Sequence, residues 1–90
     1  MSTALFALGQ TVITCAAQDE LHPEDVKACL DRHANGDWGD MGESDLRSNQ
    51  IALAQGLRLF SAYNDRNGSR FWIITEADRS ATTVLLPSDY

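Results

Sequence analysis

The apolar positions follow two different periods along the chain. In "HPEDVKACLDRHA", Val26, Cys29, Leu30 and His33 recur at helical spacing, which makes one face of a helix apolar. Pro23 suits the first helical position, Glu24 and Asp25 complement the N-terminus, and Asn35-Gly36 ends the pattern. A second helix is expected from near Glu43, capped by Gly42 or Ser44, to Gly56, where a left-handed cap fits. Its expected stripe is Leu46, Gln50, Leu53, Ala54 and Leu57. Ahead of both, "LGQTVIT" (8–14) reads as a short strand, and Thr14 can cap a short helix through "CAAQDEL".

Past Gly56 the period drops to two. "LRLFSAY" (57–63) alternates, "NDRNGSR" carries the hairpin pair Asn67-Gly68, and "FWIITEA" (71–77) is the strongest strand in the chain. "ATTVLL" (81–86) is a last strand, stopped by Pro87. The order predicts one α+β domain over residues 1–90 with two layers. It comprises an N-terminal strand, two to three helices, then a three-stranded antiparallel meander. Trp72 and Ile74 fall on one strand face, Phe71 and Ile73 on the other. Helices can cover only one of these apolar faces, so the other is left for a partner or a second copy.

Charge changes this picture more than composition does. Residues 1–45 carry a net charge of −7 and residues 46–90 a net of +1. An acidic half repels phosphates, which argues against nucleic acid as its direct partner. A basic protein surface is the expected complement. No run approaches the length of a membrane span, and no basic residue precedes the apolar start, as a signal peptide requires. The two cysteines, Cys15 and Cys29, form no disulfide framework. The expectation is free thiols in the bacterial cytoplasm.

The densest chemistry lies in "NGDWGDMGESD" (35–45). Numbered from Asp31, the segment echoes a calcium-binding loop, but His33 stands at the third position and Gly42 where a bidentate Glu is needed. Cys15, His22, Cys29 and His33 offer four zinc donors without the spacing of a zinc cage. Neither metal nor cofactor is implied. Asp37 and Asp40 flank Trp38, and an apolar neighbour can raise a carboxyl pKa. Yet no nucleophile elbow, phosphate loop or zinc-protease motif accompanies them, so no catalytic residue is assigned. The structural reading accounts for more residues: glycines permit the turn, Trp38 folds back beneath it, and Asp40 and Glu43 favour the next helix.

"LGQTVIT", "GDWGD", "LAQGLRLFSAY" and "FWIITEADRSATTVLLPSDY", taken together, resemble a family of short "plasmid-related" proteins. These are carried on bacterial plasmids and integrative elements. The resemblance runs from residue 8 to 90, is most specific in "ITEADRS" with the following "TT" and "LLP", and is loose over 15–33. It implies a mobile-element context near genes that counter host defence. It transfers no reaction and no catalytic residue.

Three functions follow as expectations. The first is a non-enzymatic protein of a mobile element that binds a protein partner, such as a nucleic-acid-handling defence complex, and inhibits CRISPR or restriction machinery. Asp37, Asp40, Glu43 and Asp45 would be its rim contacts, with Trp38 the anchor if exposed. The second is a small enzyme or ligand-binding domain with a polar pocket around Glu76, Asp78, Arg79 and Thr82. The third is a structural homo-oligomer that uses the spare strand face.

Overall fold

The computed structural model describes residues 4–90; the start of the N-terminal apolar run lies outside them. The order is β1 (Gln10–Ile13), α1 (Cys15–Glu20), α2 (Pro23–Ala34), α3 (Glu43–Gln55), β2 (Leu59–Asn64), β3 (Arg70–Thr75), β4 (Ala81–Leu85) and a 3₁₀ turn at Pro87–Asp89. The fold is α+β. Its sheet has four strands in the order β1-β4-β3-β2 and is mixed, which corrects the expectation of a three-stranded antiparallel sheet. β2, β3 and β4 do form an antiparallel meander, but β1 joins it in parallel beside β4, with Gln10 opposite Ala81 and Ile13 opposite Val84. Among the described residues no helix is long and apolar enough to cross a membrane.

Local chemistry explains the element ends. The Thr14 hydroxyl accepts the Ala17 N–H and starts α1. Pro23 opens α2, as its missing N–H and fixed φ allow. Gly56 ends α3 at φ 70°, in the left-handed region. The hairpin between β2 and β3 is held by Asp65, whose carboxylate accepts N–H groups from Asn67, Ser69 and His22. Arg66 in the same turn pairs with Asp25 at 3.0 Å, which ties the hairpin to the start of α2.

One sheet face meets α1 and α2 around Leu21, Val26, Cys29, Tyr63, Phe71, Ile73 and Val84. A second cluster, Trp38, Ala52 and Leu59, joins α3 to the edge of the sheet at β2. The expected stripe of α3 needs correction. Asn49 and Ala52 are buried, with Leu46 and Leu53 partly so, whereas Gln50, Ala54 and Leu57 are exposed. A polar residue occupies the buried face because the strand edge is polar. Asn49 donates to the Phe60 carbonyl at 2.6 Å and accepts the Phe60 N–H at 3.1 Å, standing in for a neighbouring strand.

Candidate functional site

The acidic loop is built from the end of α2. Gly36, at φ 83°, turns the chain back, and the Asp37 N–H donates to the Arg32 carbonyl. Arg32 holds the Asp37 carboxylate through Nε at 2.7 Å and Nη2 at 3.3 Å. That charge-assisted pair, helped by the Gly39 N–H, holds Asp37 below the ordinary carboxylate range. The Trp38 neighbour therefore does not make Asp37 a raised-pKa acid.

Residues 38–40 then run beside β2. The Ala62 N–H donates to the Trp38 carbonyl at 3.1 Å, and the Asp40 N–H to the Ala62 carbonyl at 2.7 Å. Gly39 is required at this approach, because a Cβ there would lie 2.1 Å from the Ala62 oxygen. Trp38 is only 2% exposed. It lies against Phe6 and His33, with ring centroids 6.2 and 5.4 Å away. The exposure on which its role as partner anchor depended is absent; Trp38 pins the loop from below. Asp40 pairs with Arg70 at 2.9 Å, while Glu43 and Asp45 lie exposed in the first turn of α3.

Between this loop, the first half of α3 and the sheet face away from α1 and α2 lies a groove of about 530 Å³. Its floor is Phe60, Ala62 and Trp72. Asp40, Met41, Asp45, Ser48 and Asn49 form one wall, and Arg58 and Arg70 complete the lining. The Phe60 and Trp72 rings lie 5.0 Å apart, and Tyr90 meets the edge of Trp72 at 5.6 Å. Arg58 sits over the Tyr90 ring and donates to its hydroxyl at 3.4 Å, so the C-terminal turn borders the groove. Of the residues the sequence points to, Asp40, Gly42, Asp45, Phe60 and Trp72 line it; Asn49, Arg58 and Arg70 are additions. Phe60 and Trp72 share the parity of a spare strand face, which is a legible signal, whereas α3 covering its rim is not.

The residues of the expected polar pocket serve other ends. Thr82 is fully buried, with its hydroxyl donating to the Leu8 carbonyl at 2.7 Å. Asp78 accepts the Ser80 N–H in the turn. Arg79 adopts φ 61° and spends its guanidinium on the carbonyls of Leu57, Glu76, Ala77 and Ala52. Glu76 lies 4.0 Å from Arg58. The four do not line a common cavity among those described.

A buried polar chain runs beneath the loop. The Leu8 carbonyl can only accept, so Thr82 donates to it and in turn accepts from Thr75 at 2.8 Å. Thr75 then accepts from His33 Nε2 at 2.8 Å, which leaves Nδ1 to accept the Ser61 hydroxyl. The chain thus assigns one neutral tautomer. Burial, assisted by the Arg79 charge, lowers the His33 pKa to about 4. A serine that donates to an imidazole resembles an activated nucleophile. Ser61 and His33 are both fully buried and line none of the described cavities, so the pair is a core brace. Among the described residues, no three His, Cys, Asp or Glu converge as metal ligands, and both cysteines are free.

No family model matches the chain, and neither a curated protein nor a solved structure does.

Proposed function

We propose that the protein is a non-enzymatic binding module that takes a segment of a protein partner into the groove between α3 and the sheet. The observation that carries this reading is the groove itself: an aromatic floor of Phe60 and Trp72 under a wall bearing Asp40 and Asp45. Apolar floors with a few placed charges are the usual composition of recognition sites. Asp40 is already matched by Arg70, so Asp45, with Glu43 beside it, offers the lip charge for a basic side chain. Glu43 and Asp45 also complement the α3 N-terminus, so their charge is held where the backbone favours it.

The resemblance to mobile-element proteins, with the acidic first half of the chain, extends this to an inhibitor of a nucleic-acid-handling defence complex. Its lip would occupy a surface made for phosphates. Affinity capture from bacteria that carry CRISPR and restriction systems tests the reading, using wild type, Trp72→Ser and Asp45→Lys side by side. Partner enrichment that both substitutions abolish is the expected result. A partner retained equally by both variants refutes groove binding.

A further inference from the structure

The two edges of the sheet are treated in opposite ways. At β2 the outward backbone groups are sealed, Phe60 by Asn49 and Ala62 by Trp38 and Asp40. At β1 the Gln10 and Thr14 N–H groups both donate toward β4. Strand alternation then turns the N–H and C=O groups of Thr11 and Ile13 outward. Gln10, Thr11 and Val12 are exposed, with Val12 at 41%. The strand is short, at four residues, but carries no Lys, no Pro and no inward charge to block an added strand.

Beside this edge lies an apolar notch of about 380 Å³, lined by Ile13, Gln18, Leu21, Pro23 and Val26. Ile13 is its only strand residue, so the notch sits where a side chain of an added strand would point. Leu21 and Val26 are core residues reached from that notch. The exposed charged residues of the flanking helices are Asp19 and Glu20 of α1, which form no ion pair among the described residues, Glu24 of α2, which lies 3.8 Å from Arg66, and Lys27 one residue past Val26.

We propose that β1 and this notch form a second docking site, which takes an extended basic segment of another protein as a fifth strand. Backbone pairing to Thr11 and Ile13 would give affinity, and an apolar side chain in the notch would give register. Lysine or arginine two residues to either side would meet the unpaired acids Asp19 and Glu20, which outnumber Lys27. Charge selects this occupant over a second copy: a second β1, Gln-Thr-Val-Ile, carries no cation and would bring its own Asp19 and Glu20.

The probe is the blocked peptide Thr-Lys-Thr-Val-Thr-Lys-Thr, titrated against the full chain with amide hydrogen exchange read by NMR. Slowed exchange at Thr11 and Ile13 is expected. Thr11→Pro removes one outward N–H while leaving the β4 ladder intact, and should weaken binding roughly 3- to 10-fold. The surface double variant Asp19→Lys/Glu20→Lys, which leaves the core untouched, should weaken it by about tenfold at low salt. A peptide with Asp in place of Lys should not bind. The proposal is overturned if the Thr11 and Ile13 amides gain no protection at millimolar probe, or if folded Thr11→Pro and the charge variant bind like wild type. Protection of the same amides without peptide, rising with protein concentration, would overturn it in favour of self-association.

Discussion

His33 gives the sharpest test, because its tautomer, charge and burial are fixed by one chain of hydrogen bonds. The folded-state pKa is about 4 against 6.5 for a free imidazole. The unfolded chain therefore takes up the proton first as pH falls. Stability is complete above pH 6.5 and is lost progressively between 6.5 and about 4. At about 1.4 kcal/mol per unit, the full difference is on the order of 3 kcal/mol, more than half of it already gone at pH 5. Carboxylates held low by their partners, such as Asp25 at about 2, give up their contribution in a separate window below the ordinary Asp pKa of 3.8.

The assay is urea unfolding of wild type and His33→Gln between pH 8 and 4.5, with ¹⁵N chemical shifts of the His33 ring. Wild type should lose stability over this range, and the variant should start lower and change far less. The ring should stay neutral with its proton on Nε2. A His33 that titrates near 6.5 in the folded protein, or that carries its proton on Nδ1, would refute the directional chain. Because Trp38 packs on His33, protonating the folded ring, at about pH 4 and below, should also loosen the acidic loop, visible as a change in Trp fluorescence there and not between pH 8 and 4.5.

Two further predictions concern the frame around the groove. Asn49→Leu leaves the Phe60 N–H and C=O without their partner and should cost about 2 kcal/mol in denaturant unfolding, with added self-association through the uncovered β2 edge. At Arg79, φ 61° favours glycine, so Arg79→Gly should be more stable than Arg79→Ala by about 1 kcal/mol in thermal unfolding. Both should fall below wild type, since each loses the guanidinium that accepts no substitute on four carbonyls.

The helices and the meander were legible because their signals are local. Pro23, Gly56 and Asn67-Gly68 act within a few residues of themselves, and the structure places α2, the end of α3 and the hairpin accordingly. What depended on distant partners was not legible. The parallel pairing of β1 with β4 joins segments some 70 residues apart, and no local pattern records it. Asn49 looked like a surface residue because its reason to be buried is the backbone of Phe60. His33 was readable as part of an apolar stripe, yet Ser61, Thr75 and Thr82 come from three different strands. For the groove, strand parity placed Trp72 and Phe60 on a shared face, but only tertiary structure brings Asp40 and Asp45 to its rim.

Folding also redistributes the charge that motivated the binding hypothesis. The sequence divides into a half at −7 and a half at +1, which suggests a strong field over the acidic loop. Three ion pairs cross that division, Arg66 with Asp25 and with Glu24 and Arg70 with Asp40, and a fourth neutralises Asp37 with Arg32. Of the four loop acids, the two nearest Trp38 are therefore spent on holding the loop. Glu43 and Asp45 remain at the start of α3, and Asp19 and Glu20 lie beside the β1 edge. A field divided between two such sites steers less than one concentrated patch, because each falls off within about a Debye length, roughly 8–10 Å at ordinary ionic strength. Binding at either proposed site would then also draw on what lies beneath the charge: Phe60 and Trp72 in one, and the open backbone of Thr11 and Ile13 in the other. Salt should slow association more than it weakens the bound state, and apolar or backbone substitutions should do the reverse.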